Sequence, residues 1–568
     1  MVNFKKLFVV LMVPAILLSD MASLNVKVEN EKDDSGKKTV SQAYVDKMNP
    51  GWNLGNTFDS FDTGGDRGET SWGNPPVTKE LIKAIKDQGF NSIRMPFTSV
   101  MRTGDAPDYK IDEEFLNRYA EVVKWALDEG LYVVVNLHHD SWNWAYNIGS
   151  DDGDALEKFS ALWTQLAEYF KNYPEQLSFE ALNEPYFNGE TETQLKILDT
   201  VNRTFYQIVR ESGGMNATRM LLLPTLNTND SEDRCASLYE TIQSLNDENI
   251  IATFHYYGYW PFSTNIAGTT TMDATVVSEL EAAFDRVYNQ FTAKGIGTIC
   301  GEYGLLGFDK SLGAVEHGEV LKYFEYINYY AKQKNIPLML WDNGQHMNRT
   351  TYEWSDPTLY NTIKASWTGR SSYTETDRIF ISGDESSKDI TVKMIFNGNR
   401  LKSIHDGDRY LVRGEDYLLE RDILTLKGSY IESILTDKYG QNAALKFQFS
   451  SGADWNLFIN RVKKPVAYGA IGDSRGFSFT VNFNGDVLTT LEAAYEDGSG
   501  AGPQNWTTYK EYDYAFHVDY GKNKVILTDK FFAETKDGEV YLTLHFQSGE
   551  MLKYKIRKIG NRISGSRI

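Results

Sequence analysis

The chain has 568 residues, too many for one domain, and 41% of them are hydrophobic, which is enough to form several buried cores. Its formal net charge of −20 disfavours nucleic acid and anionic membrane surfaces as partners and suits a neutral one. The only two cysteines, Cys235 and Cys300, exclude a disulfide framework and allow at most one bridge; because Cys300 lies in a buried-looking strand, we expect two free thiols.

Residues 1–24 have the pattern of a secretory signal peptide. Lys5 and Lys6 precede an apolar run from residue 7 to residue 18, which is short for a bilayer span. A single-span anchor is the alternative. We therefore expect a secreted, extracellular protein that has no membrane contact after cleavage of the signal, and we interpret residues 25–44 as a polar leader.

Residues 45–372 alternate short apolar runs with amphipathic helical patterns. One such helix is predicted over residues 112–129, with an apolar stripe that includes Tyr119 and Val123 and with Gly130 at its end. The strand candidates are GWNLGNTF, NSIRMPF, LYVVVNLHH, LSFEALNEP, RMLLLPT, ATFHYY, GTICGEYG and PLMLWDNG. This alternation predicts an α/β fold, a (β/α)8 TIM barrel. A doubly wound open sheet is the alternative, but no glycine-rich phosphate loop follows the first strand.

The helical patterns stop after residue 370. Residues 375–463 and 465–568 instead contain short alternating strands separated by Gly, Asn and Asp, which is typical of all-β sandwiches. We expect Trp455 to belong to the core of the first of these modules. The junctions lack long linkers rich in Pro, Thr or Ser, so we expect the modules to pack against each other.

Polar residues follow the ends of the predicted barrel strands. In a TIM barrel the active site collects at the C-terminal ends of the strands. The residues at these ends are Arg94, His138, His139, Asn183, Glu184, His255, Tyr257, Glu302 and Trp341. Glu184 precedes Pro185 in the stretch FEALNEP, and an ionisable group there is costly unless it is paired or used. Two facing carboxyl groups, such as Glu184 and Glu302, are the minimal equipment for hydrolysis of a glycosidic bond.

The adjacent His138 and His139 suggest a different chemistry, that of a metal-dependent hydrolase. Adjacent residues of a strand point to opposite faces, so the two imidazoles are not expected to bind one ion. The sequence also lacks an H-E-x-x-H motif. We therefore expect no metal and no other cofactor. The plainer alternative is that each of these polar residues only satisfies its neighbours.

Seven motifs of the first domain, in order, closely resemble those of glycoside hydrolase family 5. They are GWNLGNTFD, IRMPF, NLHHDSW, FEALNEP, HYY, GEYG and WDNG. They are most similar to the secreted bacterial endo-β-1,4-glucanases of subfamily 4. The resemblance implies a retaining enzyme in which Glu184 is the acid/base and Glu302 is the nucleophile. It also implies carboxyl groups about 5–5.5 Å apart, with Glu184 buried at the rim so that its pKa is raised.

The same resemblance assigns supporting roles to the neighbours of the two carboxyl groups. It implies that Arg94 holds Glu302 in its ionised form. His255 and Tyr257 would orient Glu184 and Glu302, respectively.

Further residues are expected to contact the sugar. Asn183 would bond a sugar 2-hydroxyl group, His138 matches a substrate-site histidine of the family, and Trp341 would stack on an apolar sugar face. Weaker candidates for the cleft are His139, Trp52, Asn56, Trp142, Trp144 and Trp260.

The stretch FNGNRLKSIHDGDRYLVRGEDYLL lies in residues 375–463, and with it this segment resembles an immunoglobulin-like X2 module. Residues 465–568 resemble a family 46 carbohydrate-binding module. Trp506 is the only Trp after residue 464, and it either belongs to the core or offers a flat face to a glucan. The resemblance as a whole implies a monomeric endo-β-1,4-glucanase whose partner is a β-glucan polysaccharide: cellulose, xyloglucan or mixed-linkage glucan. The alternatives are a xyloglucan- or mixed-linkage-preferring enzyme and an inactive barrel that only binds polysaccharide.

Overall fold

Eight parallel strands form a closed barrel in which each strand pairs with the next and β8 pairs with β1. The strands are β1 Gly51–Asn53, β2 Ser92–Phe97, β3 Tyr132–Leu137, β4 Leu177–Glu180, β5 Leu221–Pro224, β6 Ile250–Tyr256, β7 Gly297–Tyr303 and β8 Leu338–Leu340. Seven of them lie within their predicted runs, and β6 begins two residues before its run, at Ile250. The predicted (β/α)8 barrel is confirmed, and the doubly wound alternative is wrong because the sheet closes.

The computed structural model describes residues 38–62, 68–150, 153–307, 311, 313–382 and 387–568. The predicted signal peptide therefore lies outside the described residues, together with most of the predicted leader. Over the described residues, no helix combines the length and apolar character needed to cross a bilayer.

Most helices of the barrel domain lie between its strands, and the longer ones bury an apolar face. In helix α3, Glu113–Asp128, the Asp112 side chain accepts a hydrogen bond from the Phe115 N–H at 2.9 Å, which explains where this helix begins. Tyr119 and Val123 of the predicted stripe are fully buried. The helices are α1 Val40–Met48, α2 Lys79–Asp87, α3 Glu113–Asp128, α4 Asp140–Asn143, α5 Asp154–Phe170, α6 Thr191–Glu211, α7 Glu232–Leu245, α8 Trp260–Ser263, α9 Ala274–Gln290, α10 His317–Gln333 and α11 Pro357–Ser366.

Helix α1 covers the N-terminal end of the barrel. Its Tyr44 and Met48 pack in an apolar cluster with Leu222 and Met339 from inside the barrel. The Gly297 N–H, at the start of β7, donates to Ser41 Oγ at 2.9 Å. The folded domain thus begins before residue 45, the expected start, and any open site must lie at the opposite end of the barrel.

The second module consists of two facing sheets, with strand orders β10-β17-β16-β12-β13 and β14-β15-β11-β9. Its strands are β9 Tyr373–Thr374, β10 Arg378–Ile381, β11 Ile390–Ile395, β12 Leu401–Asp406, β13 Arg409–Tyr410, β14 Tyr417–Glu420, β15 Ile423–Leu426, β16 Gly440–Phe449 and β17 Trp455–Arg461. Trp455 is buried in the core, as predicted. The apolar cluster of the barrel continues into this module, which confirms that the two modules pack together.

The third module has two further sheets, with strand orders β18-β20-β23-β22 and β19-β26-β25-β24-β21. Its strands are β18 Val466–Ala467, β19 Ala470–Asp473, β20 Gly476–Asn482, β21 Leu488–Ala494, β22 Phe516–Asp519, β23 Lys524–Thr528, β24 Gly538–Phe546, β25 Met551–Ile559 and β26 Arg562–Arg567. The expectation of no helix after residue 370 is wrong, because short helices α12 Gly428–Ile434 and α13 Asp529–Ala533 are present. Both cysteines are free and buried, as predicted.

Candidate active site

Glu184 and Glu302 meet at the C-terminal end of the barrel. One carboxylate oxygen of each, together with a ring nitrogen of His255, all lie within 4.8 Å of one another. Strand β4 ends at Glu180, four residues before Glu184. The backbone of Glu184 adopts φ 38°, a left-handed conformation that costs a non-glycine residue about 1–3 kcal/mol and is typical of functional sites. The two carboxyl groups are thus close enough to act on one bond.

Glu302 is held by two donors. Arg94 Nη1 donates to its Oε1 at 2.6 Å, and the Tyr257 hydroxyl donates to its Oε2 at 2.6 Å. Only 5% of the Glu302 side chain is exposed. The two hydrogen bonds fix the orientation of this buried carboxyl group, and a bond from a cationic donor is among the stronger ones.

Glu184 has a more open environment, and 47% of its side chain is exposed. His255 Nδ1 lies 3.1 Å from its Oε1, which is the contact expected of these two residues. Partial burial raises the pKa of Glu184, but the hydrogen bond and charge of His255, with the charges of Arg94 and His139, outweigh it and lower the pKa below its ordinary value. The expected burial and raised pKa are therefore wrong for this structure.

A third carboxyl group, that of Glu180, also contacts Arg94 and was not predicted. Arg94 Nε and Nη2 donate to Glu180 at 2.5 and 3.1 Å, while Nη2 also donates to Asn183 Oδ1 at 2.8 Å. Arg94 and Glu180 are fully buried. The guanidinium is thus fixed from one side by Glu180 and offers its other side to Glu302. The sequence did contain a signal for this residue, because Glu180 is a second charged residue in the apolar stretch FEALNEP, which also contains Glu184.

Trp341 and His138 form a flat wall next to the carboxyl groups. Their rings are parallel within 3°, with centroids 5.5 Å apart. A Cβ atom at Gly55 would lie 2.8 Å from Trp341 Cζ2, so glycine is needed for the indole to lie there. Burial, and then the positive charges of His139, Arg94 and His255, hold the pKa of His138 well below its usual value, so this imidazole is neutral.

His138 and His139 do not point to opposite faces of a strand, contrary to the prediction, because β3 ends at Leu137. Their rings contact edge to face at 4.5 Å, and nitrogen atoms of both lie within 4.8 Å of a carboxylate oxygen of Asp59. Both nitrogens of His139 are nevertheless engaged. Trp142 Nε1 donates to its Nδ1 at 2.9 Å, and its Nε2 lies 3.2 Å from Asp59 Oδ2. A metal ion at this cluster would have to displace these hydrogen bonds.

Aromatic side chains extend from this wall along one side of the site. Trp142 is 46% exposed, and its ring lies 5.2 Å from that of His139. Phe61 and Trp72, which were not predicted, complete the group with contacts of 5.7 Å to Trp142 and 5.0 Å to His139. Their spacing in a loop after β1 gave no periodic signal in the sequence.

Another aromatic contact joins the barrel to the third module. Trp260 and Trp506 are 42% and 60% exposed, and their ring centroids are 5.9 Å apart. The alternative that Trp506 belongs to the core is therefore wrong. Lys510 stabilises the loop that carries Trp506, because its Nζ donates to the Pro503 and Thr507 carbonyl groups at 2.9 and 3.0 Å.

The remaining weak candidates lie less favourably. Trp52 is fully buried under the Arg349 guanidinium, 4.5 Å from its ring centroid, so its placement in the cleft is wrong. Trp144 is half-buried and donates to Asp140 at 2.8 Å. Asn56 has a left-handed backbone with φ 53° and donates its N–H to Asp59, as befits a turn residue.

The fold and this pair of carboxyl groups define a glycoside hydrolase of the TIM-barrel class. A family model described as cellulase (glycosyl hydrolase family 5) matches residues 56–347. A model described as carbohydrate binding domain X2 matches residues 373–459. The CBM46 model, described as a carbohydrate binding domain, matches residues 463–566. Endoglucanase B of Paenibacillus lautus is 47% identical over 533 residues, which are 93% of this chain and 94% of that protein. The chain belongs to glycosyl hydrolase family 5.

Two solved structures share all three modules. The tri-modular endo-β-1,4-glucanase B of Bacillus halodurans is 46% identical, with a TM-score of 0.91 over 94% of this chain and 100% of that one. A tri-modular subfamily 4 endo-β-1,4-glucanase of Bacillus licheniformis, complexed with cellotetraose, is 30% identical. Its TM-score is 0.79 over 90% of this chain and 99% of that one.

Proposed function

We propose that the chain is a retaining endo-β-1,4-glucanase that hydrolyses internal bonds of β-glucan polysaccharides. The observation that carries this is the pair of unlike carboxyl groups: Glu302 is buried and held by Arg94 and Tyr257, whereas Glu184 is exposed. Oxygen atoms of the two lie within 4.8 Å of each other, a spacing that supports a retaining rather than an inverting reaction. We also propose, from the N-terminal pattern, that it is secreted, and we propose separately that it acts as a monomer.

In the first step, Glu302 attacks the anomeric carbon and a covalent glycosyl-enzyme forms. The bond from that carbon to the glycosidic oxygen breaks, and Glu184 gives its proton to the departing oxygen. Glu184 must therefore be protonated at that moment. A glucan chain over Glu184 covers the exposed part of its side chain and removes water from the carboxyl group, which raises its pKa.

In the second step, water replaces Glu302 on the anomeric carbon. Glu184, now a carboxylate, takes a proton from the water as the new carbon–oxygen bond forms, and Glu302 leaves as a carboxylate. Because Asn183 Oδ1 accepts from Arg94, its Nδ2 is the group that can donate to a sugar hydroxyl. The flat wall of Trp341 and His138 suits an apolar sugar face.

The full chain should lower the viscosity of carboxymethyl cellulose well before reducing ends accumulate, because cuts at internal bonds shorten chains quickly. Viscometry and a reducing-sugar assay on the same samples measure the two quantities. Viscosity that falls only in proportion to reducing ends would contradict an endo-acting enzyme. An unchanged polymer would favour the inactive binding barrel.

Chelation serves as the control for the metal-dependent alternative. The two-carboxylate reaction needs no Lewis acid, so treatment with EDTA should leave the rate unchanged. Loss of activity that one divalent ion restores, with an unchanged circular dichroism spectrum, would instead support a metal at Asp59, His138 and His139.

Trp506→Ala should slow hydrolysis of long or branched β-glucans while leaving short soluble oligosaccharides almost unaffected. The exposed indole beside Trp260 offers the third module a place on the substrate, and an aromatic contact of this kind is worth about 0.5–1.5 kcal/mol. Rates on both substrate classes, with the melting temperature, measure this. Removal of residues 465–568 should affect the same substrates, and the loss of rate should be larger.

A matched control is Tyr468→Ala, which removes another exposed aromatic of the same module, 49% exposed, that is not paired with Trp260. Equal losses on every substrate, together with early unfolding, would show that Trp506 only supports the fold. Parallel rates on cellulose, xyloglucan and mixed-linkage glucan would then rank the three substrates.

A further inference from the structure

Asn265 lies where the loops after β6 and β7 meet the third module. Its Nδ2 donates to the Ala314 carbonyl at 2.8 Å and to the Thr489 carbonyl at 2.9 Å. The residue is 5% exposed, and its backbone adopts φ 50°, a conformation that asparagine tolerates better than most residues. One amide group therefore joins two loops of the barrel to the third module.

The third module has a local irregularity that fits this amide. The pairing of β21 with β24 shifts register between Leu488 and Thr490, which leaves Thr489 as an extra, bulged residue. A bulged residue is left out of the ladder, and bulges commonly redirect a group for another purpose. The Thr489 carbonyl is thereby available to a donor from outside the sheet, and Asn265 supplies it.

The surroundings of Asn265 are close-fitting on one side and polar on the other. A Cβ atom at Gly268 would lie 3.0 Å from the Tyr509 ring, so glycine allows this ring to approach the loop. On the other side is a cavity of about 200 Å³, lined by residues of all three modules. Asn265 Oδ1 and Thr489 Oγ1 are buried without a hydrogen-bond partner among the described residues. Directional hydrogen bonds therefore help to fix the geometry of this part of the interface, together with the contact of the Tyr509 ring.

The segment that carries Asn265 also carries Trp260. Helix α8 begins at Trp260 and ends at Ser263, whose Oγ donates to the Tyr257 carbonyl at 2.5 Å and accepts from the Leu306 N–H at 2.7 Å. One end of this segment is therefore fixed to the residue that contacts the nucleophile. Asn265 fixes the other end to the third module.

We propose that Asn265 is a positioning residue that docks the third module. In the docked position Trp506 faces Trp260 at the end of the cleft that only long substrates reach. The inference rests on the proposed function of Trp506. Without the two hydrogen bonds of Asn265, the module retains its own fold but Trp506 no longer has a defined distance from Trp260.

Asn265→Asp in the full chain tests this, because it keeps the shape but places a carboxylate against two carbonyl oxygens. The control is Asn335→Asp, at an exposed asparagine with a similar φ of 53°. We expect kcat/KM on polymeric β-glucan to fall about fivefold through KM, with less than about a twofold change on an aryl cellobioside. In a Trp506→Ala background the same change should add almost nothing, because both act on one contact.

Hydrogen exchange at the Tyr512 amide, which donates to the Asn265 carbonyl at 3.4 Å, reports docking independently of catalysis. It should quicken in Asn265→Asp and not in the control. If Trp506→Ala slows the polymer reaction but Asn265→Asp does not, the positioning role fails while the function of Trp506 stands. If Trp506→Ala has no effect on the polymer reaction, the proposed role of Trp506 in substrate binding is wrong. If exchange at Tyr512 is unchanged in Asn265→Asp, the proposed docking role of Asn265 is wrong as well. Additive losses in the double variant would also overturn the proposal.

Discussion

Glu302→Ala should reduce turnover on every glucan by about 10⁴-fold or more, because no other described group can form the covalent bond to the anomeric carbon. The fold should survive, since Arg94 keeps its two hydrogen bonds to Glu180 after Glu302 is removed. Steady-state rates on carboxymethyl cellulose and on an aryl cellobioside measure the loss. Glu302→Gln is the matched variant, because it keeps the size of the side chain and removes only its charge.

Azide distinguishes a lost nucleophile from a damaged site. In Glu302→Ala a small anion can enter the space left by the carboxylate and attack from the same face, which gives a glycosyl azide of inverted configuration. NMR of the product determines its configuration. A retained product, or substantial activity of Glu302→Ala on polysaccharide, would show that another residue is the nucleophile.

Glu184→Ala should have the next largest effect, and its size should depend on the leaving group. General acid catalysis contributes about 10²–10⁴-fold, so hydrolysis of cellulose should fall by that factor. Formation of the glycosyl-enzyme from an aryl cellobioside with an acidic phenol should change little, because such a phenol leaves without a proton. Pre-steady-state release of the phenol measures this step directly.

Azide also provides the control for Glu184. In Glu184→Ala it should attack the glycosyl-enzyme and give a product of retained configuration, the opposite of that expected for Glu302→Ala. His255→Ala is the second comparison, because it removes the hydrogen bond at 3.1 Å but keeps the carboxyl group. If Glu184→Ala loses the same factor on good and poor leaving groups, Glu184 does not act as the acid.

The barrel could be predicted because each strand is a short apolar run bounded by Gly, Pro or polar residues, and because strand ends meet at one rim. The pair of carboxyl groups followed from that geometry, and their contacts with Arg94, His255 and Tyr257 followed from the family motifs. The sequence could not show that Arg94 is shared between Glu302 and Glu180. That sharing depends on which side chains point into the barrel at the same level.

Other features depend on contacts between distant segments, and local sequence patterns do not encode them. Trp52 and Trp506 are both tryptophans near polar motifs, yet one is covered by Arg349 and the other faces Trp260 from another module. The pKa of Glu184 was misjudged for a similar reason. Its direction depends on the balance between burial, which raises the pKa, and the hydrogen bond from His255, which lowers it, and only the folded arrangement determines that balance.

The burial of both cysteines makes the protein suitable for site-specific labelling. Burial raises the pKa of Cys235 to about 12 and holds that of Cys300 well above its usual value, so neither thiol provides the thiolate that reacts with maleimides. A single cysteine introduced at a surface position such as Ile471, which is 91% exposed, would be the one reactive thiol of the chain. A fluorophore attached there would report the motion of the third module without prior removal of the native cysteines.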